Sequence, residues 1–271
     1  MDKRRIATFV FVAAATVMNA ATRVTYVDFP GGEVEMLPGS SEQFTNALTA
    51  FAGASTVSLL QPIAPYSVIV KNRSPSALTV IMVRLDLKDT AGGGVRHVAG
   101  LQSKILPQEM ALITPIGGLN IPMRPSLLAP PPIPDHAGLT VEMAKTSQLY
   151  RMQTEVVVSL DSVVFDDGSV IGPDTIHNLE RMNLWRDADR SVVTELLKRA
   201  PAERFAYLQG ILDTPEKPAM NLEDIDQFDQ RRRSSAELMG MFMKTFPNED
   251  DLRLRLTEFL AQTPQLHRRG K

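Results

Sequence analysis

Apolar and polar positions alternate through the first two thirds of the chain and recur at helical spacing in the last third. Residues 66–72 are rich in β-branched side chains and stop at the turn cluster Asn72, Arg73, Ser74 and Pro75, which predicts a strand. Residues 77–89 follow as a longer strand. Alternation puts Leu78, Val80, Met82 and Arg84 on one face and Thr79, Ile81, Val83, Leu85 and Leu87 on the other, the predicted core face. Gly92, Gly93 and Gly94 then predict a hairpin, because glycine alone takes positive φ without strain. Shorter strands are predicted at 96–99, 104–106, 110–114 and 140–143, and a long one at 153–165. Asp166, Asp167, Gly168 and Ser169 make a tight turn across which residues 170–172 pair back. Upstream, residues 24–29 and 34–37 read as strands, and 41–51 fits either a helix or a loop.

Prolines interrupt the pattern at Pro115, Pro122, Pro125, Pro130, Pro131, Pro132 and Pro134. Each lacks the N–H that a ladder needs, so residues 115–138 predict a surface loop with polyproline character. A stiff connection between sheet edges is the common use of such a stretch, and a ligand for a partner domain is the other.

After Pro173 the period changes from two to about 3.6. Asp174 or Thr175 is placed to cap a helix whose stripe is Ile176, Leu179, Met182, Val193, Leu196 and Leu197. Pro201 opens a second helix, with Phe205, Leu208 and Leu212 in register. Asn221 to Asp224 resembles a capping box before a third, which carries Ile225, Phe228, Leu238 and Phe242. Asn248 caps a fourth, where Glu249 with Arg253 and Asp251 with Arg255 stand four apart as ion pairs. Residues 267–271 are expected to fray. Each stripe needs apolar cover, and packing within the chain is the expected source.

Several short strands separated by turns indicate an antiparallel sandwich. The strand ending at Asn72 and Ser74, followed by the strand ending at Asp89 and Gly92, resembles immunoglobulin-like modules of exported bacterial proteins. Residues 160–174 are similar to a segment of uncharacterised envelope proteins that carry such a module. The resemblance spans residues 60–175; it implies an Ig-like β-sandwich and lends no activity. The expected fold is therefore α+β, with an antiparallel Ig-like β-sandwich at 22–172 followed by an α-helical C-terminal region at 173–271.

The N-terminus carries Lys3, Arg4 and Arg5, an apolar run from Ile6 to Met18, and then Ala20 and Ala21. That order predicts a secretory signal peptide at residues 1–21 and an exported protein, periplasmic or extracellular. A cut after Ala20 puts Met18 at the third position back, where a smaller residue is preferred. An uncleaved anchor is the main alternative, although the run is shorter than the ~20 residues of a span. A buried helix is a third. No later stretch is long and apolar enough to cross a bilayer.

Of the 271 residues, 44% are hydrophobic, which suffices for a core. A formal net charge of -2 creates no field that would gather nucleic acid. Cysteine is absent, which removes thiol catalysis, disulfides, cysteine-ligated metals and the lipid-accepting residue of a lipoprotein.

Candidate chemistry is sparse. His97, His136, His177 and His267 lie in different predicted elements, and none has a second ligand at metal-binding spacing. Asp161, Asp166 and Asp167 form the one carboxylate concentration with a geometric rationale, as calcium ligands or an acid–base pair. The competing account is turn chemistry, which favours Asp-Gly for its own sake. Arg231, Arg232 and Arg233 could meet a phosphate, but Glu223, Asp224, Asp226 and Asp229 neutralise them locally. Ser126, Asp135 and His136 lack the nucleophile elbow of a hydrolase. Gly92 to Gly94 lacks the residues of a nucleotide loop, and Trp185 with Tyr207 is too little aromatic surface for a stacking platform. The expectation is a non-enzymatic binding or structural module with protein partners in the envelope, no catalytic residue, no metal and no cofactor. The alternative is a carboxylate-dependent hydrolase using Asp161, Asp166 and Asp167.

Overall fold

The computed structural model describes residues 22–27, 29, 32–124, 136–214, 227–262 and 265–269. The signal expected at 1–21, the prolines from Pro125 to Pro134, and the capping box at 221–224 with Ile225 lie outside the described residues. Within them, six helices and two sheets make a mixed α+β protein.

The first sheet contains β1 (Arg23–Val27), β4 (Leu78–Lys88), β5 (Gly94–Ile105), β8 (Glu155–Phe165), β9 (Ser169–Ile171) and β10 (His267–Arg268). Its order is β10-β9-β8-β4-β5, with β1 also paired to β8. The second sheet contains β2 (Val34–Pro38), β3 (Val68–Asn72), β6 (Met110–Ile113) and β7 (Ile121–Met123), in the order β2-β3-β6-β7.

Pairing in the first sheet is not wholly antiparallel, contrary to expectation. β1 runs parallel to β8, and β10 runs parallel to β9. Neither strand is joined to its partner by a short hairpin, the connection that imposes antiparallel order. Their arrival also means that one edge of β8 is shared. β1 covers Glu155 to Ser159 and β9 covers Val163 to Val164, leaving a gap at Asp161.

Residues 94–105 form one strand where two short ones were expected. Gly100 does not break it, because the side chain of its partner Met82 crosses that position. A Cβ on Gly100 would lie 2.5 Å from the Met82 sulfur. The Asp89 carboxylate closes the β4–β5 turn by accepting from the N–H groups of Ala91 and Gly93. Pro122 sits inside β7, an edge strand, where a missing N–H is tolerated.

One apolar cluster draws on both sheets: Ile81, Val83, Leu85, Val158, Leu160 and Phe165 from the first, Val68, Val70 and Ile113 from the second. The predicted core face of β4 is therefore correct for Ile81, Val83, Leu85 and Leu87. Leu78 joins them because the register with β8 shifts between Leu78 and Val80. The other face of the second sheet packs Ile69 and Leu112 against α1 (Glu42–Leu60) and α2 (His136–Arg151). Ser41 caps α1 by accepting from Phe44 N–H at 3.1 Å, and the helix turns at Gly53, whose φ is 81°. Residues 140–143, expected as a strand, lie in α2: Leu139, Met143, Ser147 and Tyr150 are its buried positions, a helical period.

The last third supplies α3 (Asn178–Lys198), α4 (Pro201–Leu212), α5 (Gln227–Thr245) and α6 (Glu249–Gln262). Val192, Val193, Leu196, Leu208, Met239 and Leu256 share their own core. Three expected stripe members are misplaced: Phe205 and Leu238 face outward, and Ile176 precedes α3. Arg255 pairs with Glu258 at 2.9 Å, where Asp251 was expected, while Glu249 and Arg253 do approach, at 3.7 Å. Residues 267–268 do not fray. They form β10, which carries the chain back across the expected boundary at 172–173 into the first sheet.

Candidate functional site

Asp161 is the extra residue of a β-bulge in β8: Leu160 opposes Val83 and Ser162 opposes Met82, with nothing opposite Asp161. The bulge turns its carboxylate toward the shared edge. There it is 0% exposed, and Oδ1 accepts from Thr175 N–H at 3.0 Å and Thr175 Oγ1 at 2.6 Å. The Asp161 carbonyl accepts from Asp174 N–H at 2.9 Å. Arg84 reaches in from β4, donating Nη1 to Thr175 Oγ1 at 2.6 Å and standing 3.8 Å from Asp161 Oδ1. Its Nε lies 2.9 Å from Asp86.

Residues 172–177 therefore fill the gap between β1 and β9 as a strap. Gly172, Asp174 and His177 all have positive φ, at 112°, 51° and 53°. Gly172 is obligatory, since a Cβ there would lie 2.5 Å from the Asp161 carbonyl oxygen. The N-cap position of α3 is His177 and not Asp174 or Thr175, but the Asp174 carboxylate reaches the helix start from upstream, accepting from Asn178 N–H at 2.7 Å.

Asp166 and Asp167 are exposed at the β8–β9 turn, five and six residues on from Asp161, a span of about 17 to 20 Å at the usual strand rise. The three carboxylates do not converge. Asp167 accepts from Ser169 N–H at 2.8 Å and Ser169 Oγ at 2.6 Å. The Ser169 bonds hold its carboxyl below the ordinary aspartate range. Turn chemistry thus accounts for Asp167, and strap anchoring for Asp161.

Among the histidines, His97 has the most developed environment. Its Nδ1 meets the hydroxyl of Tyr150, whose ring packs edge-on against Tyr66 with centroids 4.8 Å apart. Burial pushes the Tyr150 hydroxyl far above, and His97 below, their ordinary ranges. The sequence offered no spacing signal for this pair, because 53 residues separate its members. His177 is exposed beside Glu180, and His267 lies on β10. The side chains of His136, Ser126 and Asp135 lie outside the described ones. Arg231 is committed to Asp189 through two bonds of 2.8 and 2.7 Å, and Arg233 donates to the Thr214 carbonyl. Trp185 and Tyr207 each carry an arginine over the ring, Arg181 and Arg199. No group of three or more potential metal ligands occurs among the described residues.

Among the described residues, large apolar side chains are exposed on α2 and also at Trp185, Phe205, Met241 and Leu254 of α3 to α6. A cleft of about 410 Å³ beside the bend of α1 is lined by Phe44, Leu48, Val57, Ala64 and Pro65, with Thr45, Ser58 and Gln61 as its polar side chains. The outward side of α2 carries Val141 and Leu149, 53% and 52% exposed, and Met152 beyond its end is 67% exposed. No helix of the described residues is long and apolar enough to cross a membrane. No family model, curated protein or solved structure matches the chain.

Proposed function

We propose that the chain is a non-enzymatic binding module, exported to the cell envelope, that contacts protein partners through the outward side of α2. The carrying observation is the exposure of Val141, Leu149 and Met152. At helical spacing these positions fall within an arc of about 80°. Exposed large apolar side chains sharing one side of a helix, here around the exposed Lys145, suit a protein contact surface. The cleft beside α1 supports the same reading, because neutral and apolar side chains suit binding better than acid–base chemistry. The two-sheet body is, on this reading, a divergent Ig-like sandwich. Its support is the core shared by both sheets and the turns closed by Asp89 and by Asn72, whose Oδ1 accepts from Ser74 N–H at 2.9 Å. Export rests on the basic and apolar order of residues 1–21.

The test is a variant carrying Val141→Ser, Leu149→Ser and Met152→Ser together, recovered from the host's extracytoplasmic fraction. Wild type is expected to retain specific proteins that the variant, with an unchanged circular dichroism spectrum, loses. Equal retention by both contradicts the reading. Sequencing of the recovered N-terminus should begin close to residue 21; full-length chain confined to the cytosol contradicts export.

A further inference from the structure

The apolar side of α2 carries a charge at its middle. Lys145 stands four residues from both Val141 and Leu149 and seven from Met152, which puts it inside their arc at helical spacing. It is exposed and makes no ion pair among the described residues. Glu142 borders the arc without reaching it. Further cations gather where the helix ends. The Thr22 hydroxyl lies 3.0 Å from the carbonyls of both Arg151 and Gln153, which brings Arg23, its side chain 78% exposed, to the end of α2 that carries Met152. Arg151 is exposed there as well. Lys88 is joined to the same end through its carbonyl, which accepts from Thr154 N–H at 2.8 Å. Of the nearby carboxylates, Glu155 is held by Lys88 at 2.6 Å and Asp89 closes its own turn. Lys145, Arg23 and Arg151 therefore leave this surface with a surplus of positive charge.

We propose that the partner of this surface is an acidic amphipathic helix, whose apolar stripe covers Val141, Leu149 and Met152 and whose carboxylate meets Lys145. The inference rests on the reading of α2 as a contact surface and names the class of its partner. From Val141 to Met152 the stripe runs about 16 Å, or three turns, which matches a partner helix of ordinary length. Covering the three apolar side chains encloses Lys145 with them, and its ammonium then needs a counter-charge in place of water. Arg23 and Arg151 favour further carboxylates at the end of the partner that lies over Met152. A second copy fits poorly. Packed antiparallel on the same side, it would bring its own Lys145 within about one turn of this one. A lipid surface is also less well served, because Glu142 borders the arc and no aromatic side chain lies on it.

The experiment places a photoreactive residue at Gln148, exposed beside the stripe, in the intact host. Irradiation is expected to give discrete protein adducts whose crosslinked segment, read by mass spectrometry, is an amphipathic sequence carrying Asp or Glu. With circular dichroism spectra unchanged, adduct yield should fall at least about tenfold with Lys145→Glu and recover with Lys145→Arg, since charge reversal turns attraction into repulsion. Exchanging the segment's carboxylate for Lys should restore the yield with Lys145→Glu. The same segment, made as a synthetic peptide, should bind the purified full chain and weaken by the same factor with Lys145→Glu. Adducts indifferent to Lys145→Glu, a crosslinked segment without an acidic residue, or a second copy of the chain as the adduct overturns this inference and leaves α2 a protein contact surface. Lipid adducts, or none at all, overturn both.

Discussion

Asp161 binds Thr175 twice, through N–H at 3.0 Å and Oγ1 at 2.6 Å, and so fastens the strap to the β8 bulge. Replacing Asp161 with Ala should cost about 3 kcal/mol, since two bonds to a buried carboxyl group vanish and leave the Thr175 N–H and hydroxyl without their acceptor. Gly172→Ala should be comparably damaging through its clash with the Asp161 carbonyl. Urea unfolding at neutral pH measures both, and a loss under about 0.5 kcal/mol for either would show that the strap is not held as described.

The neighbouring carboxylates should behave differently. Asp167→Ala removes two acceptor contacts to Ser169 in an exposed turn and should cost about 1 kcal/mol. Asp166→Ala should fall within about 0.5 kcal/mol of wild type. Equal and large losses at both positions, measured by thermal unfolding, would point to a shared role that the geometry denies.

His97 should make the fold acid-sensitive. Burial lowers its pKa from the ordinary 6.5, so the unfolded chain takes up a proton at a higher pH than the folded one. Its contribution is intact above about 6.5 and is lost as pH falls from there toward its folded pKa. Unfolding midpoints at pH 7.5 and 5.0 should therefore differ more for wild type than for His97→Gln. An identical difference in both proteins would remove His97 as a source.

The helical region has its own electrostatic anchor. Arg204 is 1% exposed and joins Glu249 through bonds of 2.7 and 2.8 Å, with Nε donating to the Leu196 carbonyl. Glu249→Gln should destabilise by about 2 kcal/mol, short of a fully buried pair because the carboxylate is partly solvated. The Arg204 bonds hold the Glu249 pKa below its ordinary 4.5, so this contribution is present above that pH and disappears as pH falls through the lower folded value. A pH titration of the stability difference between wild type and Glu249→Gln, narrowing below pH 4.5, checks it.

Long periodic elements were legible from residues alone, and so were the turns. The strands at β3, β4 and β8, the β8–β9 hairpin and the bonds of Asp174 and Asn248 to helix starts follow from local chemistry that tertiary contacts did not override. What escaped was set by distant residues. The phase shift in β8, with Leu160 and Val163 both inward, is masked in a run rich in valine. Thr140 to Met143 satisfies both periods over four residues, and only Leu139, Ser147 and Tyr150 reveal the helix. β10 depends on the Leu266 socket, built from residues 80 to 182. The candidate carboxylates were found, but the burial of Asp161 against the strap was not: Asp161 interrupts an apolar strand, which signalled a special position without naming its partner Thr175.

The central claim, that the outward side of α2 is a protein contact surface, is tested most directly by photocrosslinking in the intact host. A photoreactive residue replaces Leu149 in one strain and the exposed Lys244 of α5 in another. Discrete crosslinked adducts from position 149, absent at 244 and suppressed by Val141→Ser with Met152→Ser, are the predicted result. Uncrosslinked chain at position 149, or the same adducts from both positions, would contradict it.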